Sequence, residues 1–398
     1  MAAKRALNGA NWRALNVAWP YNNEQQYYSA ANATVVRIVG GQHKLALRSD
    51  GTLLGWGAYM HGELGPLANI DWQPAQFVVR QPVAIALPGR VVDVAAGNSA
   101  SFALLEDGRV FAWGDGRIGQ MGGGANMTLP RLANSTPAFD YRGIERPTPL
   151  AGLTDVAAIG LQLALMKDGT VRQWNVDLKV PTAVPGLADI VGISSSGGHA
   201  LAVTRDGHVY SWGSNFSGEL GRPPRQEAAM PVPALVPGLD RVSAVVAGPG
   251  VSTALKTDGT VWVWGWNGNS QFGFGERTGR VPGPDGGFEL TPQQIPGLAN
   301  VTAVSLGADG RHSLALLKDG TVRAWGNNDW GQLCTGRGPG FLSPPAALKL
   351  ANVRGVFAVG NHSFFVLSDG ALVGCGSGRV GEWPFTAHTR LPAAVALP

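Results

Sequence analysis

The sequence predicts an all-β protein, a seven-bladed β-propeller made of four-stranded antiparallel blades. Three observations support this prediction. A hairpin unit with an Asp-Gly turn recurs seven times, and the apolar residues around each turn alternate with the period of a β-strand. The 398 residues also include 57 Gly, 27 Pro and 13 Trp, and only 15% are charged. Such a composition fits many short strands joined by turns better than long charged helices.

The repeating unit is clearest in residues 311–333. An apolar run over 314–317 leads into Asp319-Gly320, and a second apolar run ends at Trp325-Gly326. Because Gly at the turn readily adopts a positive φ, this pattern is typical of a tight β-hairpin. The equivalent Asp-Gly turns begin at Asp50, Asp107, Asp168, Asp206, Asp258, Asp319 and Asp369.

Each Asp-Gly turn belongs to a set of four predicted strands, which we name A to D in chain order. Strand A is an alternating apolar segment ending in Gly, as in 91–97, and strand D is a Pro-flanked run, as in 81–87. Strand B enters the turn and strand C leaves it toward Trp-Gly. Four antiparallel strands repeated around an axis describe a propeller. The predicted blades span residues 34–88, 89–150, 151–184, 185–237, 238–296, 297–350 and 351–398.

Residues 1–33 precede the first blade as an N-terminal extension. Its segment 15–19 is a candidate strand that docks on the propeller, and the alternative is a partly ordered tail. The spacing of the repeats does not say how the ring closes.

The repeat has a recognisable consensus: Ala-Gly, His-Ser-Leu-Ala-Leu, Asp-Gly-x-Val-x-x-Trp-Gly-x-Asn and Gly-Gln-Leu-Gly. It resembles the repeat of the regulator of chromosome condensation family, and the resemblance covers residues 34–398. That resemblance implies a seven-bladed β-propeller. It also implies an alternative function, because the founding member is a nucleotide exchange factor for the small GTPase Ran. In this chain the consensus is found at Gly307, His312 to Leu316, Asp319 to Val322, Trp325 to Asn327 and Gly331 to Leu333.

Three blades depart from the consensus, and blade five does so by lengthening its last segment over residues 269–275. Blade three ends strand C with 173–175 and has no Gly-Gln-Leu-Gly segment, so we predict a notch between the loops of blades two and four. Blade seven has Cys375-Gly376 where others have Trp-Gly. Cys375 and Cys334 form neither a disulfide framework nor a metal-binding spacing. We therefore expect both to be small buried apolar residues.

The two ends of the propeller differ in loop length. Antiparallel order puts the A–B turn and the C–D connection of each blade at one end, which we name the long-loop face. The Asp-Gly hairpin and the D–A crossover lie at the other end. Long loops within a compact repeat are often functional, so we predict binding on the long-loop face. Its long connections are 58–80, 115–146, 214–231, 266–292 and 327–344.

Aromatic and Arg side chains are frequent in these long connections. Such side chains are enriched at the cores of protein interfaces. For any one residue, packing of the loop onto its own blade is an equally good interpretation. The predicted partner-binding residues are Tyr59, His61, Trp72, Phe77, Arg142, Phe216, Trp266, Phe272, Arg277, Trp330, Arg337 and Phe341.

Four His share one repeat position, seven residues before the Asp of the turn: His43, His199, His312 and His362. A metal site on the axis is one interpretation, but equivalent positions on different blades are normally too far apart for ligand distances of about 2 Å. We favour a structural role, with each His bonded to the backbone of its own blade. The glycine-rich segments lack a phosphate-loop Lys, and no nucleophile elbow is present. We therefore predict no catalytic residue, no metal and no cofactor.

Charge and hydropathy narrow the function further. The net charge of +4, from 31 basic and 27 acidic residues, is too small and scattered for a nucleic-acid footprint. Neither a signal-peptide run nor a membrane-length apolar stretch is found, so we expect a cytoplasmic protein. The leading prediction is a non-enzymatic scaffold that binds a partner protein through the long-loop face. The alternatives are an exchange factor-like regulator of a small GTPase, and a small-molecule or enzymatic site at the mouth of the axial channel.

Overall fold

The computed structural model describes residues 33–66, 78–97, 99–116, 143–175, 180–223, 226–274, 287–307, 310–378 and 387–397. Within these ranges the chain forms seven four-stranded sheets, each built from four strands that are consecutive in sequence. Every neighbouring pair within a sheet is antiparallel. The prediction of an all-β, seven-bladed propeller is confirmed.

Strands A lie innermost and line the axis. They are β1 (Val35–Gly40), β5 (Val91–Gly97), β9 (Val156–Gly160), β13 (Ile190–Ser195), β17 (Val242–Gly248), β21 (Val301–Leu306) and β25 (Val353–Val359). Strands B follow them. They are β2 (His43–Arg48), β6 (Ala100–Leu105), β10 (Leu163–Met166), β14 (His199–Thr204), β18 (Val251–Lys256), β22 (His312–Leu317) and β26 (His362–Leu367).

Strands C and D complete each blade toward the outside. Strands C are β3 (Leu53–Ala58), β7 (Val110–Gly114), β11 (Val171–Gln173), β15 (Val209–Asn215), β19 (Val261–Trp266), β23 (Val322–Asn327) and β27 (Leu372–Gly376). Strands D are β4 (Val78–Ala84), β8 (Ile144–Pro149), β12 (Thr182–Ala183), β16 (Gln226–Leu235), β20 (Phe288–Gln294), β24 (Phe341–Ala347) and β28 (Thr389–Ala394).

The hydrophobic core lies between neighbouring blades. Strand B is covered on both faces, so all six residues of β6 are buried, whereas the outer strand β8 has none that is fully buried. This explains why strand B reads as a continuous apolar run and strand D does not. One Trp of strand C, or just after it, is fully buried in each of six blades: Trp56, Trp113, Trp174, Trp212, Trp264 and Trp325.

Blade seven packs directly against blade one to close the ring. Ile38 and Trp56 of blade one share a buried cluster with Phe357 and Phe364 of blade seven. The rings of Trp56 and Phe364 meet edge to face, 6.3 Å apart. None of the seven described sheets exchanges a strand with its neighbour. The candidate docking segment 15–19 lies outside the described residues.

The Asp-Gly turns serve the scaffold, as predicted from turn chemistry. In blade five, Asp258 Oδ1 accepts hydrogen bonds from the backbone N–H and the hydroxyl of Thr260, at 2.9 and 2.7 Å. The carbonyl of Gly259 accepts the N–H of Val301, the first residue of strand β21 in the next blade, at 3.1 Å. Gly259 has a φ of +79°, and a Cβ there would lie 3.0 Å from the Asn300 Cα. Glycine is therefore required for close contact between blades.

The C–D connections agree in part with the predicted long loops. Blade four's connection is shorter than predicted, since β16 begins at Gln226 and leaves only residues 216–225. Blade three's connection, 174–181, is the shortest, as predicted. Residues 117–142 of blade two lie outside the described part, so the notch beside them stays a prediction. No helix in the described ranges is long and apolar enough to cross a membrane.

Candidate functional site

A cavity of about 750 Å³ lies on the propeller axis. Its walls are the carboxyl ends of strands A and the A–B turns, such as residues 40–42 and 360–361, and Glu63 and Trp330 reach it from C–D connections. Because these segments all lie at one end of their blades, the cavity belongs to the long-loop face. Its volume is within the range of about 300–1,000 Å³ that is usual for ligand sites.

The described cavity lining carries four ionisable groups besides one buried His. Three are basic, Arg37, Lys44 and Arg311, and one is acidic, Glu63. Arg37 also pairs with Asp93, at 2.7 Å between Nη1 and Oδ1. Burial raises the pKa of Glu63 to about 7, because a charged carboxylate loses hydration there. Basic side chains therefore outnumber acidic ones in the described lining.

A chain of hydrogen bonds joins blade one to blade two beside this cavity. His43 Nε2 lies 3.0 Å from Ser101 Oγ, and Ser101 Oγ donates to the Glu63 carbonyl at 2.8 Å. Trp113 Nε1 donates to the same carbonyl at 2.7 Å. Because the hydroxyl proton of Ser101 is donated to the Glu63 carbonyl, His43 must donate its Nε2–H to Ser101 Oγ. The shared His, Ser, Glu and Trp of the repeat therefore form one joint between blades.

The same joint recurs at other seams. Between blades four and five it uses His199, Ser252, Glu219 and Trp264, at distances of 2.7, 2.7 and 2.8 Å. Between blades six and seven His312, Ser363 and the Gln332 carbonyl are linked at 3.1 and 2.6 Å. The repetition shows that these residues are structural.

The structural role predicted for the four His is therefore correct, but the predicted partner is wrong for three of them. His362 alone has Nε2 close to a backbone carbonyl of its own blade, that of Ser377, at 2.9 Å. The other three reach the next blade, because strand B side chains point at the neighbouring sheet. In the described ranges no three His, Cys, Asp or Glu side chains are grouped so that they could hold a metal ion.

Buried neutral His should make the fold acid-sensitive. Burial lowers the pKa of His43 and of His199 from 6.5 to about 4. The unfolded chain therefore binds more protons between these values, and stability falls as pH drops from 6.5 toward 4. Each His contributes a slope of about 1.4 kcal/mol per pH unit. We expect His199→Gln to flatten the profile of unfolding free energy by that slope, as measured by urea denaturation at several pH values.

Glu63 changes the unfolding free energy with pH in the opposite direction to the two His. Its pKa is raised from 4.5 to about 7, so its contribution to stability is lost as pH rises through that window. Comparing wild type with His199→Gln cancels the Glu63 contribution, since both chains contain it. Parallel profiles for the two chains would contradict the assignment of a buried neutral His199.

The Gly-Gln-Leu segment is held by a pair of side chains that sequence reasoning missed. Asn328 Oδ1 accepts the N–H of Leu333 at 3.0 Å, and Gln332 Oε1 accepts the N–H of Trp330 at 2.9 Å. Asn215 and Glu219 do the same in blade four. A four-residue spacing between Asn and Glu or Gln, shared by blades four, five and six, is the sequence signal that identifies this loop.

Blade three lacks this loop, and a side-chain oxygen takes the place of the loop carbonyl that accepts the Trp hydrogen bond in other blades. Trp212 of blade four donates from Nε1 to Gln173 Oε1 at 2.7 Å, where other blades use a loop carbonyl. Gln173 is the last residue of the short strand β11. The seam is thus kept although the repeat is degraded.

The seam between blades six and seven contains a disulfide, which corrects our expectation for the cysteines. Cys334 and Cys375 are bonded, with 5.6 Å between their Cα atoms. Both are buried, as expected, but they are not separate apolar residues. Cys375 stands at the repeat's Trp position, and Cys334 follows the Gln332-Leu333 segment that such a Trp would contact. The disulfide therefore takes the place of the Trp-to-carbonyl bond at this seam.

The structure places the predicted partner-binding residues in three groups. Three are buried in the scaffold, which leaves them no surface for a partner: Tyr59, His61 and Phe272. Five are exposed or half-buried on the long-loop face: Phe216, Trp266, Trp330, Arg337 and Phe341. Four lie outside the described residues: Trp72, Phe77, Arg142 and Arg277.

Phe216 and Trp330 differ in their surroundings. The Phe216 side chain is 56% exposed at the start of the blade four connection. Trp330 lines the cavity and packs edge to face on His388 of blade seven, with 5.1 Å between ring centroids. Gly336, later in the same connection, donates its N–H to the Arg390 carbonyl at 2.8 Å. The blade six connection is thus anchored across blade seven and holds Trp330 at the cavity mouth.

Two family models match the chain, and both are described as the Regulator of chromosome condensation (RCC1) repeat. One matches residues 206–255 and 258–316. The other matches residues 91–120, 190–219, 242–271 and 301–332. A solved structure of yeast RCC1 (Prp20) bound to Kap60 is similar with a TM-score of 0.53 at 22% identity, covering 91% of this chain and 75% of that one. At this identity the likeness shows the fold.

Two relatives from Arabidopsis thaliana are similar over most of the chain. The Ultraviolet-B receptor UVR8 is 28% identical over 306 residues, which cover 75% of this chain and 67% of the receptor. The RCC1 domain-containing protein RUG3, described as mitochondrial, is 30% identical over 359 residues, which cover 80% of this chain and 75% of RUG3. With the repeat matches, this similarity shows that the chain belongs to the regulator of chromosome condensation (RCC1) repeat family.

Proposed function

We propose that this propeller is an interaction module that binds a partner protein through its long-loop face. The observation that carries the proposal is the set of aromatic and Arg side chains left accessible there, chiefly Phe216, Trp330 and Arg337. Large aromatic and Arg side chains supply most of the binding energy in protein interfaces. The buried members of the original set, such as Phe272, keep the loops in place instead.

The opposite face has fewer side chains available for contact with a partner. Its Asp-Gly turns are short, and the Asp side chains form hydrogen bonds within the turn. In blade six, the backbone N–H and the hydroxyl of Thr321 donate to Asp319 Oδ1 at 3.0 and 2.7 Å. The relatives also support a protein partner. In the solved complex, yeast RCC1 (Prp20) is bound to another protein, Kap60. We extend protein binding to this chain and leave the identity of the partner to experiment.

The test compares capture of a partner by matched surface variants. Phe216→Ser and Trp330→Ala together should weaken a purified partner's binding by at least about 30-fold, the size expected for hot-spot side chains. Leu235→Ser is the control, because Leu235 is 46% exposed on the outer strand β16, where it pairs with Tyr210 near the Asp-Gly end of the blade, while Phe216 is 56% exposed. The partner would first be captured from cell extract with the tagged chain, and then measured by titration calorimetry.

Folding is checked for each variant by thermal denaturation, since Trp330 is only half-exposed. Phe216→Ser alone provides a variant with little effect on packing. Equal affinity of wild type and a folded double variant would refute binding at this face. Loss of affinity in Leu235→Ser alone would place the partner on the outer rim, away from the long-loop face.

A further inference from the structure

We propose that the axial cavity receives a carboxylate-rich peptide segment of the protein that docks on the long-loop face. This inference rests on the proposed function and names the chemistry that the cavity would recognise. It is argued from the charges, the hydroxyl groups and the arrangement of the described cavity wall.

The charges of the wall favour an anion. Lys44 and Arg311 line the cavity from blades one and six, and Arg37 lies further down the axis, paired with Asp93. Glu63 is the one carboxyl group of the described lining, and burial raises its pKa to about 7. A concave site with charges of one sign and low-dielectric walls concentrates the field and attracts the opposite charge.

Two serine hydroxyls in the wall accept backbone hydrogen bonds and so keep their own protons. Ser194 Oγ accepts the N–H of Ala247, and Ser305 Oγ accepts the N–H of Ala358, each at 2.9 Å. A hydroxyl that accepts through a lone pair keeps its own proton for another partner. Ser195 differs, because its proton goes to the Leu161 carbonyl at 2.8 Å. Ser194 and Ser305 can therefore donate to carboxylate oxygens.

The arrangement favours an extended segment over one small anion. The candidate donors and cations come from different blades, with Lys44 on blade one, Ser194 on blade four, and Ser305 and Arg311 on blade six. They surround a space of about 750 Å³ and do not form one compact cluster on a single loop. Several carboxylates on a peptide can meet such a ring, and Trp330 at the mouth offers an apolar surface for the chain that enters.

The test uses fluorescein-labelled hexaglutamate and hexalysine, with binding followed by fluorescence anisotropy. Wild type should bind hexaglutamate in preference to hexalysine, and added NaCl should weaken the binding. Arg311→Gln should raise the dissociation constant about threefold, the effect of one exposed ion pair, and Lys44→Met should have a larger effect. Arg205→Gln is the matched control, because Arg205 is exposed beside the Asp206-Gly207 turn on the opposite face.

The outcomes separate this inference from the proposed function. Two results would overturn the proposal of an acidic segment, even if Lys44→Met fails to fold. They are equal affinity for the two peptides, and an unchanged dissociation constant for hexaglutamate in Arg311→Gln. Displacement of hexaglutamate by inorganic phosphate at equal concentration would also overturn it, in favour of a small anion. If Phe216→Ser with Trp330→Ala abolishes partner binding while Arg311→Gln leaves it intact, the proposed function stands and the inference fails. Competition between hexaglutamate and the partner supports both.

Discussion

Removing the disulfide through Cys334→Ala with Cys375→Ala is expected to lower the free energy of unfolding by about 4 kcal/mol. The bond joins residues 41 positions apart, and a cross-link of that span reduces the conformational entropy of the unfolded chain. It also links blade six to blade seven at the seam where Cys375 stands in place of the repeat's Trp. The measurement is urea denaturation of the oxidised wild type and of the double variant.

A reductant supplies the matched control. It should destabilise wild type by a similar amount and leave the double variant unchanged, because the variant has no thiols. If the reductant shifts both proteins equally, or neither, the assigned stabilising role of the disulfide is wrong. Ser363 still donates to the Gln332 carbonyl at 2.6 Å in either case, so the seam should weaken without separating completely.

This disulfide bears on the predicted compartment. Disulfides persist in oxidising compartments and are rare in the cytosol, where a pair such as Cys334 and Cys375 would encounter reducing thiols. Cytoplasmic localisation stays a prediction, and one relative, RUG3, is described as mitochondrial. Non-reducing electrophoresis of protein from rapidly alkylated cells would show which form of the chain its own compartment maintains.

The fold could be predicted because its repeated residues act locally. Asp258 and Gly259 specify a turn through their own backbone geometry, and Thr260 completes it two residues later. Such short-range chemistry can be read from one sequence without knowing any distant contact. The turn occurs seven times, with alternating apolar strands between the copies. This pattern predicts a closed ring of blades.

The contacts between blades could not be predicted in the same way. His43 and Ser101 are 58 residues apart, and a single sequence contains no pairing information at that distance. Our prediction that each His bonds within its own blade was wrong for the same reason, as with His312, which bonds to Ser363 of the next blade. The disulfide between Cys334 and Cys375 was not predicted, because the proximity of the two residues depends on the packing of two separate blades.

The candidate site was only partly predictable, because an aromatic side chain does not reveal its exposure. Phe272 and Phe216 both lie in C–D connections, yet one is fully buried and the other is 56% exposed. The difference comes from position within the same kind of loop. Phe272 follows Gln271 and donates its N–H to Asn267 Oδ1 at 3.0 Å, whereas Phe216 directly follows Asn215, at the start of the loop. The exchange-factor and axial small-molecule alternatives stay predictions.

The second large effect is expected at the seam between blades four and five. Trp264→Ala should lower the free energy of unfolding by about 4 kcal/mol. Trp264 is fully buried, and its Nε1–H donates to the Glu219 carbonyl at 2.8 Å. Trp264→Phe should cost less, about 1 kcal/mol for the lost hydrogen bond beyond any change in packing, because Ser252 still donates to that carbonyl at 2.7 Å.

Trp262 is the control within the same strand. It lies on β19 two residues earlier, is half-exposed, and has the Lys256 Nζ 4.8 Å from its ring centroid. Trp262→Ala should therefore cost about 1 kcal/mol. Equal losses for Trp262→Ala and Trp264→Ala in urea denaturation would contradict the proposed joint between blades.

The Trp264 joint also connects stability to binding. Its acceptor, Glu219, closes the turn that begins at Phe216, since Glu219 Oε2 accepts the Ser217 N–H at 2.6 Å. Loss of the indole should therefore loosen the segment that presents Phe216 on the long-loop face. Trp264→Ala is expected to weaken partner binding more than Trp262→Ala does, under conditions where both variants remain folded. Full retention of affinity would show that Phe216 is positioned without the seam, and that the scaffold and the binding face are energetically independent.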